Sequence, residues 1–409
     1  MPLHALLDVR CTAADRQSLR GMSEAGWNDL LELADRHRVM ASLNRRMQDP
    51  AVAELVPARV RHEIARRHSG ARKASLGIRL QLPVILGAFS GKGIPVIALK
   101  GAHLAFQVYP DPIDRPMYDV DLLVRPADIQ RVIELLGGME YRPYEFADKE
   151  FIPDYDAYIH LAPFVRPSWP TIEIHRALDT DDDDVTLPLD DFWDRARAAT
   201  FGDATALVLA PEDLLLHVCV HIAQQHRFRI GLRSLQDIPA MISHFGQAFS
   251  WRRFVDTSVA SGAARGCYYA LAVADELIGI DMPESVMAEL RPDDAERDQV
   301  DLMAWYLMVS MKPQAPVGAR ELRRAAGPRA IATAIARTVF PGAERMRLVY
   351  HLSRGDRRLP LYYAYRPLDL LIRRGHFMLG LLLPRSRAKS ALTTDAAAET
   401  IAQVLAART

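Results

Sequence analysis

The segment YDVDLLV, residues 118–124, constrains this 409-residue chain more than any other part of its sequence. Its apolar residues predict a short buried strand, and successive side chains of a strand point to opposite faces of the sheet. Asp119 and Asp121 therefore lie side by side on one face. Adjacent carboxylates repel each other, and a divalent cation such as Mg²⁺, which prefers oxygen ligands, is the simplest compensation. The segment predicts a metal site on a sheet.

A second strand is predicted in TIEIHRAL, residues 171–178. Its alternation places Glu173 and His175 on one face and the two isoleucines between and before them on the other. Glu173 then offers a third carboxylate from a neighbouring strand. Three carboxylates on one sheet face suit two metal ions, which we expect to be Mg²⁺.

A phosphate site is predicted upstream, where GKGIPVIALKG (91–101) indicates a short buried strand that ends at Lys100 and Gly101 before a helix begins. Such a junction offers backbone N–H groups to a phosphate, and the lysine ammonium lies beside them. The predicted phosphate and metal sites coincide.

The pattern along the chain predicts an α+β protein with a small mixed sheet of about four strands. We expect a helical segment over 1–90, an α/β core over 91–205, a helical domain over 206–311 and a basic, mostly helical region over 312–409. A further strand is predicted over 156–165. The acidic run 179–184 is typical of a solvated loop.

Charge and cysteine content limit the partners and the compartment. The net charge is zero, so bulk charge does not favour a nucleic-acid partner, although residues 312–390 carry 17 basic residues against four acidic ones. With its aromatic residues this region could contact RNA, a phosphorylated acceptor or, peripherally, an anionic membrane; pairing with the acidic remainder of the chain is the alternative. Three scattered cysteines and no signal-like or spanning segment favour a cytoplasmic protein.

These motifs together carry a resemblance. The order LKG, RPMYDVDLLV (115–124) and IEIH (172–175), followed by a helix that contains histidines, resembles the nucleotidyltransferase superfamily typified by DNA polymerase β. It is most similar to the bacterial uncharacterised nucleotidyltransferase family, over about residues 27–260. The resemblance implies a polymerase β-like palm.

The resemblance also implies residue roles. Asp119 and Asp121 correspond to the paired metal ligands, and Glu173 to the third carboxylate, which helps to activate the attacking hydroxyl. Gly101 falls where the superfamily's Gly-Ser turn holds the triphosphate. Ala102 follows it where Gly or Ser is usual, and Lys100 would replace the hydroxyl contact.

Other residues have two interpretations each. Arg115 could contact the triphosphate or be a solvated loop arginine. His221 and Asp237 match positions that could line the cleft. The structural alternative for His221 is a histidine packed in the core or against another histidine. The alternative for Asp237 is an i, i+4 ion pair with Arg233. His217, His221 and His226 lack the glutamate of a zinc protease motif, which argues against a zinc site.

The resulting hypothesis is a metal-dependent nucleotidyltransferase that moves a nucleoside monophosphate from ATP or another NTP to an acceptor hydroxyl on a small molecule, peptide or protein. One alternative is an inactive nucleotide-binding scaffold or sensor. The other is a tailoring enzyme of a peptide or polysaccharide pathway with altered chemistry.

Overall fold

The computed structural model describes residues 2–8, 10–144, 161–178, 185–311, 327, 329, 333, 336, 339–350, 352, 355–382 and 387–407. The predicted acidic loop over 179–184 and the first half of the strand predicted over 156–165 lie outside these residues. The described chain divides into two compact units. The larger holds the described residues up to Met308 together with 405–407, and the smaller holds those from Val309 to Val404.

The larger unit begins with helices, and the domain bounds predicted from the sequence, 1–90 among them, stay predictions. Side-chain caps fix several of their starts: Thr12 forms a capping box with Asp15, and the Ser23 side chain accepts a hydrogen bond from the backbone of Gly26. The helices are α1 (Pro2–Leu7), α2 (Ala13–Arg20), α3 (Glu24–Arg36), α4 (Met40–Arg46), α5 (Pro50–Ala53) and α6 (Ala58–Gly91).

Helix α6 packs against the sheet through its C-terminal half. Leu82, Ile85, Leu86 and Phe89 follow helical spacing and are fully buried in the main core cluster. Among the described residues, α6 is the helix that is long and apolar enough to cross a membrane by length and composition. Its most apolar 18-residue window is 35% buried, and Leu76, Leu80 and Val84 on this helix are exposed.

One mixed sheet of seven strands lies in the larger unit, in the order β3-β4-β5-β2-β1-β7-β6. The prediction that the sheet is mixed is confirmed, but the predicted number of about four strands is wrong. The strands are β1 (Ile97–Ala98), β2 (Asp119–Leu123), β3 (Arg142–Pro143), β4 (Phe164–Val165), β5 (Thr171–His175), β6 (Arg197–Phe201) and β7 (Ala204–Val208).

The strands that sequence reasoning missed are the edge hairpin β6–β7 and the two-residue strand β3. β6 is largely exposed and rich in alanine and threonine, so it has no apolar run to mark it. Its pairing with β7 supplies the backbone partners instead. The turn between them contains Gly202 with φ of +60°, and Gly202-Asp203 was the available sequence signal for a two-residue hairpin loop.

Helices connect and follow the strands, as the sequence predicts for the stretch up to 311. Two π-helical turns, Leu104–Val108 and His221–Gln225, interrupt this pattern. The helices are α7 (Lys100–His103), α8 (Ile129–Gly138), α9 (Leu189–Arg195), α10 (Pro211–Val220), α11 (Leu232–Phe245), α12 (Trp251–Ala260), α13 (Ala264–Ile278), α14 (Glu284–Leu290) and α15 (Arg297–Ser310).

The smaller unit is helical where it is described, over Ala343–Tyr350, Leu359–Leu382 and Arg387–Ala406. Aromatic hydroxyls tie its segments together: Tyr350 donates to Asp369 at 2.8 Å, and Tyr363 donates to the Pro341 carbonyl at 2.6 Å. Part of the aromatic content of this basic region is therefore used in its own packing.

Candidate active site

The parallel pairing of β2 and β5 brings the predicted acidic residues together. Asp121 lies directly opposite Glu173 in the register, and Asp119 lies opposite Thr171. Val120 and Ile172, which alternate with the acidic residues, are fully buried in the apolar core on the other face of the sheet. Burial of that face fixes the register, because a slip by one residue would turn the carboxylates into the core.

Three side chains on this face form a compact polar group. The His175 Nε2 atom lies 2.9 Å from Asp121 Oδ1 and 3.9 Å from Glu173 Oε2. One potential ligand atom from each of Asp121, Glu173 and His175 lies within 4.8 Å of the others, so the group could hold a metal ion. Asp121 and His175 are only 6% and 3% exposed, whereas Glu173 is partly open to solvent.

Lys100 approaches this group from the end of β1. Its ammonium lies 3.3 Å from Asp121 Oδ1, and the neighbouring Leu99 N–H donates to the Asp121 carbonyl at 3.0 Å. Lys100 has φ of +37°, a backbone conformation that is unfavourable for a residue with a side chain. Strained backbone of this kind clusters at functional sites, and here it occurs at the residue whose ammonium pairs with Asp121.

The two aspartates of β2 have opposite pKa shifts. Loss of hydration in the cleft, together with the Asp121 charge, raises the pKa of Asp119. Burial would also raise the pKa of Asp121, but the Lys100 ammonium and the His175 hydrogen bond hold it well below its usual range. Asp121 is therefore the stable anion of the pair, and Asp119 is the residue that gains most from an added cation.

Arg115 and Asp237 form a buried ion pair. The Arg115 Nε and Nη2 atoms donate to the two Asp237 oxygens at 2.9 and 2.7 Å, and the Tyr109 hydroxyl donates to the same carboxylate at 2.9 Å. Arg115 is 4% exposed, which contradicts the solvated-loop interpretation. Asp237 bonds to Arg115 instead of its i, i+4 neighbour Arg233, which donates to the Pro116 carbonyl.

Gly101 lies against the Arg115 side chain of this ion pair and is itself buried. A Cβ atom at Gly101 would lie 2.9 Å from Arg115 Nη1 and 3.3 Å from Met117 Cγ. The absence of a side chain at Gly101 therefore leaves room for the close approach of Arg115 to the chain. Tyr109, the third member of the network, was missed by sequence reasoning. It lies just after a π-helical turn, which no local sequence pattern marks.

Three histidines of α10 and of the residues that follow it, His217, His221 and His226, lie close enough to Lys100 for its charge to act on them. The π-helical turn after α10 brings His226 back onto His221, and their Nε2 atoms lie 3.2 Å apart. His217 is fully buried, and neither ring nitrogen has a hydrogen-bond partner. Burial, with the Lys100 charge as the next cause, lowers the pKa of all three, so they are neutral at pH 7. Within the described residues they do not form a metal-binding group of three.

Residues 23–279 match the family described as uncharacterised nucleotidyltransferase. The chain belongs to this nucleotidyltransferase family. The match covers well over half of the chain, and the cluster on β2 and β5, Lys100 and the Arg115–Asp237 pair all lie inside it. No curated protein and no solved structure gives a significant match. The family assignment confirms the resemblance to nucleotidyltransferases.

Proposed function

We propose that the protein is a metal-dependent nucleotidyltransferase that transfers a nucleoside monophosphate from an NTP to an acceptor hydroxyl and releases pyrophosphate. The observation that carries this proposal is the register pairing of Asp121 with Glu173, which groups carboxylates from two strands beside the Lys100 ammonium. Family membership supports the reaction class. We also propose that the sheet is a polymerase β-like palm, because the motifs that carry Asp119, Asp121 and Glu173 resemble those of that superfamily and lie on paired strands.

The donor set fits a divalent ion. Asp121, Glu173 and His175 would hold one ion, and Asp119 with Asp121 and the triphosphate oxygens would hold a second, for which Mg²⁺ is suited by its preference for oxygen. When bound, such ions neutralise charge on the transferring phosphoryl group and on the leaving pyrophosphate.

Side chains of the protein itself would carry out the proton transfer, the phosphate binding and the positioning. Glu173, partly exposed at the edge of the cluster, accepts the proton of the acceptor hydroxyl as the oxygen forms its bond to the α-phosphorus and the bond from that phosphorus to pyrophosphate breaks. Lys100 holds the triphosphate as a point charge. The Arg115–Asp237 pair holds the chain that leads into β2, and so it positions the aspartates without contacting substrate.

One observation favours a second candidate function, a nucleotide-binding scaffold or sensor without transfer activity. The Asp121 charge is already compensated by Lys100 at 3.3 Å and by the His175 hydrogen bond at 2.9 Å. A site that is neutralised by its own side chains needs no metal ion to be stable. In this case the protein would bind an NTP and leave it intact.

We further propose that the protein acts in the cytoplasm, where its three free, buried cysteines stay reduced. Its acceptor would be a small molecule, a peptide or a protein, and an altered tailoring chemistry on such an acceptor is a variant of the same proposal. Contact of the basic region after residue 311 with an anionic membrane is tested by co-sedimentation with vesicles that contain phosphatidylserine.

The experiment that tests the reaction is mass spectrometry of products after incubation of the protein with each NTP, a divalent cation and fractionated cell extract. The proposal predicts an acceptor whose mass increases by one nucleoside monophosphate, with an equal amount of pyrophosphate. Tight NTP binding without any new product would favour the scaffold.

A further inference from the structure

The group on β2 and β5 contains an imidazole as well as carboxylates. We propose that His175 is a direct metal ligand, and that Asp121, Glu173 and His175 form a mixed nitrogen–oxygen site that selects a first-row transition ion over Mg²⁺. This inference rests on the proposed function only because both use the same carboxylates. Under it, the two cation positions bind different kinds of ion.

The distances within the group are close to those of ligands around one ion, and all three ligand atoms lie within 4.8 Å of one another. Ligand bonds of about 2.1 Å at angles of about 90–110° place neighbouring ligand atoms about 3.0–3.5 Å apart. The His175 Nε2 atom lies 2.9 Å from Asp121 Oδ1 and 3.9 Å from Glu173 Oε2, on either side of that range. Small side-chain rotations are therefore enough to close the group around a cation.

The positions of the three ligands are well fixed. Asp121, Glu173 and His175 stand on paired strands whose opposite faces are buried in the core, and His175 is 3% exposed. Three protein ligands with one side open toward solvent at Glu173 match the plan of catalytic metal sites, which keep a position for water or substrate.

The imidazole decides the choice of ion. Mg²⁺ takes oxygen ligands and gives up its water reluctantly, whereas imidazole nitrogen is a good ligand for ions such as Zn²⁺, Co²⁺ and Ni²⁺. The second position, between Asp119 and the triphosphate, offers oxygen only and suits Mg²⁺. The protein without nucleotide should thus bind one transition ion, and Mg²⁺ should bind together with the NTP.

A competing explanation is that His175 merely donates a hydrogen bond to Asp121 and orients it. In that case Lys100 and His175 would together occupy Asp121 Oδ1, and any ion would bind to oxygen alone. The two explanations differ in one measurable property, which is whether a bound ion has a nitrogen ligand.

The test uses the full chain without nucleotide. Binding of Co²⁺ and Mg²⁺ is measured by calorimetry, and electron spin echo spectroscopy of bound Mn²⁺ detects coupling to ¹⁴N. The variants are His175→Gln and, as a control, His226→Gln, which removes a more exposed imidazole of the same cleft that lies outside the group.

We expect the wild-type protein to bind one Co²⁺ at least about 100-fold more tightly than Mg²⁺. His175→Gln should lower the Co²⁺ affinity by at least about tenfold, as loss of a ligating or orienting group does, and should abolish the ¹⁴N coupling, while His226→Gln should change neither. The wild-type ¹⁴N spectrum decides the matter even if His175→Gln does not fold.

Bound Mn²⁺ without ¹⁴N coupling in the wild-type protein would overturn the inference, as would loss of coupling in His226→Gln instead of His175→Gln. If the same protein transfers nucleotide with Mg²⁺, such a result leaves the proposed function standing. Failure to bind any divalent ion, without or with NTP, would overturn both and favour the scaffold.

Discussion

The buried pair of Arg115 and Asp237 allows a sharp prediction of stability. In Asp237→Asn the carboxylate that receives Arg115 at 2.9 and 2.7 Å becomes an amide, which keeps one acceptor oxygen and places an NH₂ group where the other oxygen stood. A guanidinium that is 4% exposed then loses its counter-charge and at least one hydrogen bond. Removal of one partner from a buried ion pair typically costs about 3–5 kcal/mol. We expect the free energy of unfolding to fall by that amount.

The assay is chemical and thermal unfolding of Asp237→Asn beside a matched control. Asp256→Asn also converts an aspartate that pairs with an arginine, but the Arg252–Asp256 pair is exposed, so its loss should change stability little. Replacement of both buried partners, by Arg115→Met with Asp237→Leu, should recover part of the loss because no unpaired charge remains. A loss below about 1 kcal/mol in Asp237→Asn, with a gain in NTP affinity, would refute the structural role and make Arg115 a phosphate ligand.

Three further predictions concern single residues. Lys100→Met should weaken binding of a non-hydrolysable NTP by about 1.5–3 kcal/mol in calorimetry, with partial rescue by Lys100→Arg; unchanged affinity would remove Lys100 from the phosphate site. Gly101→Ala should lower unfolding stability by about 1–3 kcal/mol because its Cβ meets Arg115, whereas Gly87→Ala, on an open helix surface, should not destabilise; equal effects would contradict the packing argument. Burial lowers the pKa of His37 to about 4, whereas the unfolded chain binds a proton at this residue near pH 6.5. The free energy of unfolding should therefore fall by about 2 kcal/mol as the pH falls from 7 to 5. A pH profile of stability that His37→Gln does not flatten would contradict this assignment.

The pH prediction for His37 follows from its hydrogen bonds. The Leu232 N–H donates to Nδ1 at 3.2 Å, so Nδ1 must carry a lone pair, and Nε2 donates to the Met308 carbonyl at 3.2 Å. A second proton would face the Leu232 N–H. Glutamine can supply one acceptor and one donor without titrating, which makes His37→Gln the matched variant.

The central part of the site could be predicted from sequence because strand alternation is a strict rule. The spacing of Asp119 with Asp121, and of Glu173 with His175, fixes which residues share a face, and buried residues between them fix the register. What the spacing could not show was which of these side chains come within reach of one another. The group whose ligand atoms lie within 4.8 Å of one another contains His175 and not Asp119.

The rest of the site depends on contacts between distant parts of the chain. The partner of Asp237 is Arg115, 122 residues away, and not the i, i+4 neighbour that helical spacing suggests. Tyr109 reaches the same carboxylate from the end of a π-helical turn, a backbone feature with no sequence signature. The edge hairpin was missed because strand β6 is largely exposed and rich in alanine and threonine, so it has no apolar run, and pairing with β7 supplies its backbone partners.

The most direct test of nucleotidyl transfer is pyrophosphate release from NTP with a divalent cation, compared between wild type and Asp121→Asn. Asp203→Asn is the matched control, because Asp203 is exposed in the turn of the edge hairpin. Asp121→Asn keeps the shape of the side chain and removes the charge at the centre of the cluster, so release should fall by at least about 100-fold while the melting temperature shows that the protein is folded. Asp203→Asn should match the wild type. Wild-type pyrophosphate release by a folded Asp121→Asn protein would contradict the assignment of this cluster as the active site.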